Sequence, residues 1–379
     1  MALDPVFDFA VVGAGMAGAS VAYRLGLQGA SVAVLEQEAQ PGYHTTGRSA
    51  AIFIETYGTP QIRAMTRASR DFYLSPPEGF AAHPILSPRG VLYIAEPGQE
   101  DRLEAEQREF ERQGLDCEAL NAQQAVAMVP CLLPGKLSGA LLDPVASDMD
   151  VHTLHQGFLR GMARHGAVLQ CKSQLRGARR EQAAWRLQVS GGETLCARTL
   201  VNAAGAWADP VAQLCGVAPI GIQPMRRAAF IFPAPDEYDS AGWPVVSDIA
   251  ETFYFKPDAG AMLGSPANAD PVSPHDVVPE ELDIATGIYR IESSTTLRIR
   301  RPTHTWAGLR SFAPDHEFVI GWEEGVPGYF WLAGQGGYGI QTAAGASELA
   351  AALLLGQPLP ESLTRFGVTA EAVSPRRLR

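Results

Sequence analysis

The sequence predicts an α/β protein in which a Rossmann-like parallel-sheet domain is interleaved with an α+β domain carrying a mixed β-sheet. Three observations lead there. Phe7–Val12, the glycine turn GAGMAG, a small-residue helix from Ala17 to Leu27 and a strand from Ser31 to Glu36 form one βαβ unit. A second strand, small-residue turn and helix returns late, in TLVNAAGAWADPVAQLCG at 199–216. Period-two alternation in RRAAFIF and ETFYFKP, within 222–265, marks strands of a different sheet.

Taken in order, Pro60–Tyr73 has a helical pattern, and Pro76, Pro77, Pro84 and Pro88 then carry the chain out of the first sheet. Glu96–Val129 is charged and helical; Val151–His165 is an amphipathic helix, followed by the strand-like Ala167–Lys172. After the β-rich stretch, PEELDIATGIYRIESST reads as a helix, and strands resume near Leu297. The end of the chain, from Phe318 through GYFWLAGQGGYGIQTAAGASELAAALL, reads as hairpin, glycine turn and helix. The expected division is 1–75, 143–221 and 305–379 for the nucleotide domain, and 76–142 with 222–304 for the substrate domain.

Composition excludes several classes. In 379 residues, 30 Lys+Arg stand against 41 Asp+Glu, a net charge of −11, which argues against nucleic acid as a partner. With 46% hydrophobic and 19% charged residues the chain can bury a large core. The segment AAGASELAAALLL at 343–355 is too short to cross a bilayer, so no transmembrane segment is expected. Five cysteines without a CxxC pair, and no signal-like N-terminus, lead us to expect a cytoplasmic location. His152 and His155 lie three apart on a helix with no third ligand nearby in sequence, so no metal is expected. No Gly-x-Ser-x-Gly motif presents a nucleophile.

The chemistry-bearing motif is GxGxxG at Gly13, Gly15 and Gly18, with Ala14, Met16 and Ala17 between them, set between a strand and a helix. There glycines permit a tight turn, close approach of a pyrophosphate and helix–strand packing. Glu36, with Gln37 after it, ends the next strand, where a carboxylate accepts hydrogen bonds from ribose hydroxyls.

Three further segments specify more: PGYHTTGRSAAIF at 41–53, LVNAAGAW at 200–207 and GQGGYGIQT at 334–342. With YGTPQIRA, HPILSP, HQGFLRG, QPMRRAAFIF, LDIATG and TWAGLRSF, the chain resembles the D-amino-acid oxidase-like flavoenzymes over essentially its whole length, and within them the bacterial D-arginine dehydrogenase branch. The resemblance implies an FAD domain and oxidative deamination of D-amino acids, the α-hydrogen leaving Cα as hydride for flavin N5 and the imino acid hydrolysing to a 2-keto acid and ammonia. It places FAD contacts at Gly47, Arg48, Ser49, Ala50 and Ala51, at Ala204, Gly205 and Trp207, and at Gly336, Gly337, Tyr338, Gly339 and Ile340. Arg48 is expected to fork onto the pyrophosphate. The sarcosine oxidases' flavin-tethering cysteine has no counterpart in TWAGLRSFAPD, so FAD is expected to be non-covalent.

An amino-acid carboxylate needs an arginine fork and hydroxyls; the candidates are Arg226, Arg310, Tyr57 and Tyr254. Arg226 and Arg227 are adjacent in a strand and point to opposite faces, so only one enters the pocket. The resemblance selects Arg226. Two departures from the D-arginine branch matter: Ile52 stands for a histidine, and Val91 for the glutamate that holds the substrate's guanidinium. With Gly337 they line the expected side-chain pocket, which then favours neutral or apolar side chains. The electron acceptor is expected to be a quinone or other carrier, reached if need be by peripheral membrane association. Oxygen is disfavoured because Met262 stands at the place of the oxidases' lysine and only Lys256 lies in that region. The rival readings are an amino-acid or secondary-amine oxidase, a 2-hydroxy-acid or secondary-amine dehydrogenase, and a flavin subunit of a heteromeric dehydrogenase.

Overall fold

The computed structural model describes residues 6–379. Val6–Val12 is the central strand of an eight-stranded sheet, flanked in parallel by Val32–Leu35 and by Thr194–Asn202. Val168–Gln170 extends the first side, and Tyr329–Ala333 lies parallel to the far half of 194–202. An antiparallel hairpin, Leu175–Glu181 with Ala184–Val189, and the strand Val319–Trp322 complete it. Alternation along the central strand divides two cores: Phe9 and Val11 meet Tyr23, Phe158 and Leu349 on the helical face, while Ala10 and Val12 meet Trp185, Leu187 and Trp331 on the other. The helices on the first face are Met16–Leu27, Pro60–Leu74, Val151–Arg164 and Ala343–Leu354. The second of these begins where expected because Thr59 caps it, its hydroxyl accepting the Ile62 amide at 3.3 Å, with Pro60 in the first turn.

A nine-stranded mixed sheet forms the second layer. Its order across the middle is Gln223–Pro233, Ala261–Ser265, Tyr254–Asp258, Val245–Asp248, Val91–Ala95 and Gly139–Asp143. Helix Glu281–Ser294 covers the apolar face through Ile291, against Phe230 and Phe255. A small sheet of Ile52–Phe53, Ser147–Met149 and Leu86–Pro88 joins the two layers.

Two expectations change. The charged stretch 96–129 is two helices, Glu100–Arg112 and Ala122–Met128, with a strand Glu118–Leu120 between them. Strand His304–Phe312 pairs along its length with Gln223–Pro233, so the boundary set at residue 305 falls inside a strand of the second sheet. Pairing partners far apart in sequence decide that, and no local pattern reports them.

Candidate active site

Each glycine of the turn has a distinct task. Gly13 takes φ +102°, and a β-carbon there would stand 2.5 Å from the Ala203 carbonyl oxygen; one on Gly18 would stand 1.8 Å from the Gly13 oxygen. Gly15 has only the Thr46 hydroxyl near such a carbon, at 3.3 Å, and it faces open space. The turn is pinned from outside: the Ala14 amide donates to Glu36 Oε2 at 2.9 Å, the Met16 amide to Thr46 Oγ1 at 3.0 Å, and His155 Nε2 meets the Ala14 oxygen at 2.9 Å. Burial lowers the His155 pKa, so the ring is a neutral donor to that carbonyl.

Two clefts run out from this turn and share Gly15, Thr45, Thr46 and Ala203 in their walls. One holds Glu36, Gln37, Ala204, Gly205 and Trp207; the other holds Met16, Ala17, Ser49, Ala50, Gly336, Gly337, Gly339 and Ile340. Each is an open cleft spanning about 850 Å³, solvent at its mouth included. A carboxylate at one end, a glycine turn at a helix N-terminus in the middle and a second glycine-rich helix entry beyond suit an elongated dinucleotide such as FAD. Ala14, Gly18, Gly47 and Tyr338 stand behind these walls: Gly47 is wedged against the Gly42 oxygen, and the Tyr338 ring packs 4.8 Å from that of Tyr57.

Arg48 stands in the wall of the second cleft. Its guanidinium pairs with Asp276 and donates to the carbonyl oxygens of Tyr43, Val277 and Ala307. Every nitrogen is therefore engaged by protein, and the side chain ties the 276–277 segment to the wall of that cleft.

The second cleft opens into a cavity of about 810 Å³, sharing Ser49, Ala50, Arg227, Tyr254, Arg310 and Gly337 with it. Here the expected Tyr57, Tyr254, Arg310, Ile52, Val91, Ala51 and Gly337 come together. Arg310 Nη1 lies 3.4 Å from the Tyr57 hydroxyl, and a β-carbon on Gly337 would stand 3.0 Å from the Arg310 guanidinium carbon, so glycine is needed for the arginine to lie there.

Arg226, selected by the resemblance, lies outside the cavity. It turns out of the cavity and pairs with Glu280, Asp270 and Asp283, whereas Arg227 enters it. Opposite pointing of adjacent strand residues holds, but the member facing the site is set by register: Arg310 is opposite Met225 and Arg227 opposite Gly308, which puts Met225, Arg227 and Arg310 on one face. Burial and the neighbouring Arg310 push the Arg227 pKa down to about 10, leaving it charged at neutral pH. Its Nε donates to the Asn268 carbonyl. Two cations in one cavity, only partly compensated, form an anion receptor.

Met262, expected near the flavin ring, is instead fully buried in the apolar core with Phe232 and Trp243 and does not face the cavity. Lys256 is held by Asp148 at 2.7 Å and Asp258 at 3.5 Å, also outside the cavity walls. The cavity also holds groups that the sequence did not single out: Tyr93, Ser247 and Glu251. Glu251 is solvent-exposed at φ +55° in the turn before Tyr254. The pocket thus has a carboxylate at its mouth, though not at Val91, and an exposed charge there is screened by water.

These features define a dinucleotide-cofactor protein whose cleft leads directly to an anion-receiving substrate cavity. Residues 8–353 match the FAD dependent oxidoreductase (DAO) family, and the chain belongs to it. It is similar, with 24% identity over 367 residues, to 4-methylaminobutanoate oxidase (formaldehyde-forming) of Paenarthrobacter nicotinovorans, covering 92% of this chain and 44% of that protein. The chain thus spans less than half the length of that curated relative. Among solved structures it resembles glycine oxidase from Geobacillus kaustophilus (TM-score 0.83, 21% identity, 96% of this chain and 98% of that one). It also resembles L-proline dehydrogenase from P. horikoshii (TM-score 0.80, 20% identity, 99% and 98%). At such identities the likeness establishes a shared fold. Among the described residues no helix is long and apolar enough to cross a membrane, and no cluster of His, Cys, Asp and Glu fit for a metal is present.

Proposed function

We propose that the chain is an FAD-dependent dehydrogenase that oxidises the Cα–N bond of D-amino acids with neutral side chains. The observation that carries this reading is the pairing of Arg227 and Arg310, with Tyr57 and Tyr254, in one cavity continuous with the dinucleotide cleft. A planar carboxylate fits two guanidinium groups and the hydroxyls beside them, and fixing it orients Cα toward the cleft. FAD, when bound, supplies the two-electron acceptor. Ile52, Ile54, Val91 and Val245 make part of the cavity wall apolar and limit water beside the substrate. The imino acid formed hydrolyses to a 2-keto acid and ammonia. No histidine lines the cavity, and its carboxylate, Glu251, is exposed; this reading gives the amine proton to solvent.

Non-covalent FAD belongs to the same reading, since none of Cys117, Cys131, Cys171, Cys196 and Cys215 lines the cavity or the cleft beside Gly336. Acid precipitation should leave the flavin in the supernatant. The deciding experiment is an anaerobic screen of D- and L-amino acids and N-methyl amino acids, following loss of oxidised-flavin absorbance. Bleaching by L- or N-methyl substrates alone would overturn the D-amino-acid assignment.

A second reading, an oxidase acting on a secondary amine, is favoured by the names of the oxidase relatives. Against it, no lysine lines the cavity. Hydrogen peroxide formed as fast as an artificial dye is reduced would establish it.

A further inference from the structure

Behind the cavity wall lies a carboxylate that the arginine pair does not use. Asp143 has no solvent exposure. Its Oδ1 accepts the amides of Val145 and Ala146, both at 3.1 Å, and its Oδ2 accepts the Thr56 hydroxyl at 2.8 Å. Burial raises this carboxyl above the ordinary aspartate value, opposed by the hydroxyl, the two amides and Arg70.

A threonine hydroxyl has one proton. Having given it to Asp143, Thr56 can only accept from Tyr93, whose hydroxyl is 3.2 Å away. Tyr93 also has one proton, and the chain of bonds directs it inward to Thr56. What Tyr93 offers the cavity it lines is therefore an acceptor.

Sheet register places that acceptor. Tyr93 is opposite Ser247, and Ser247 opposite Tyr254, so three hydroxyls cross neighbouring strands on the cavity face. Two strand spacings, about 9.6 Å, separate Tyr93 from Tyr254 beside the arginines. A substrate held by its carboxylate at Arg227 and Arg310 would have this row of hydroxyls in reach of its side chain. The apolar wall of Val91 and Val245 beside the row offers no partner to a cation, and Glu251 lies exposed at the mouth.

We propose that the substrate carries an uncharged hydrogen-bond donor, a hydroxyl or amide, at the end of its side chain, received by Tyr93, with Thr56 and Asp143 as positioning residues that fix the direction of the Tyr93 hydroxyl. This rests on the amino-acid reading above and narrows its side chain.

The test compares isosteric pairs, homoserine with norvaline and 5-hydroxynorvaline with norleucine, in the antipode the holoenzyme oxidises. The wild type should favour the hydroxyl member of at least one pair by about tenfold in kcat/KM, the worth of one buried hydrogen bond. Tyr93→Phe should abolish that preference, Thr56→Ser should retain it, and Thr56→Val should weaken it by freeing the Tyr93 hydroxyl. Asp143→Asn, whose amide can donate to Thr56 and reverse the chain, should retain it because a substrate hydroxyl also accepts. Equal or inverted ratios in both wild-type pairs, or a ratio untouched by Tyr93→Phe, overturn the proposal. Failure of every amino acid to bleach the flavin instead overturns the amino-acid reading, and this proposal with it.

Discussion

Arg227 and Arg310 reach one cavity from paired antiparallel strands, two positions apart in register, while Arg226 leaves the same strand on the other side to bind three acids. The two neighbours therefore have opposite mutational signatures.

Arg227→Met should reduce kcat/KM on the order of 30- to 150-fold, the loss of about 2–3 kcal/mol for a hydrogen bond to a charged group. Thermal stability should hold or rise, because removing a desolvated cation beside Arg310 relieves repulsion. Arg226→Met should instead lower Tm while flavin reduction persists, since Asp283, only 12% exposed, loses its partner. Steady-state kinetics and thermal melts of both variants check the pair, and reversed signatures would return Arg226 to the site.

Glu36→Gln should weaken FAD binding. Its carboxylate lines the cleft and also holds the amides of Ala14 and Glu38, at 2.9 and 3.0 Å. Loss of the charge should cost about 1–3 kcal/mol. Fluorescence titration of apoprotein with FAD measures this; an unchanged Kd would make Glu36 a brace of the turn alone.

The contact of Arg48 with Asp276 should slow FAD release. Asp276→Ala should raise the dissociation rate a few-fold, a small effect because Asp276 is 54% exposed. The hydrogen bond from Arg48 holds the Asp276 carboxyl below its ordinary value. A depressed pKa means the contact is intact above the ordinary aspartate range and is lost as pH falls through the lowered value. Wild-type release should therefore quicken in acid, and the variant should lack that component in stopped-flow release measurements.

Val91→Glu should shift the kcat/KM ratio of D-arginine to D-methionine toward D-arginine, because it supplies the counter-charge that the pocket wall lacks. Asp143 lies directly opposite Val91 in the neighbouring strand. Repulsion should raise the new carboxyl's pKa, so the gain should grow with increasing pH. A ratio that is flat in pH and equal to wild type would place the side-chain pocket elsewhere.

The glycine turn, Glu36 and the central strand were legible in the sequence because they are local: a β-α-β period and glycines whose missing β-carbons admit Ala203 and Gly13. Ile52, Val91, Tyr57, Tyr254 and Arg310 were found through resemblance, and the fold gathers them. Three things were decided only by tertiary structure. Register chose Arg227 over its neighbour and drew 305–312 into the second sheet. A carboxylate more than two hundred residues away engages Arg48 in the cleft wall. Three strands brought Asp143, Tyr93 and Ser247 together behind and along the cavity. Side-chain period is fixed by the chain itself, but which face is inward, and which charge is nearest, depends on partners distant in sequence.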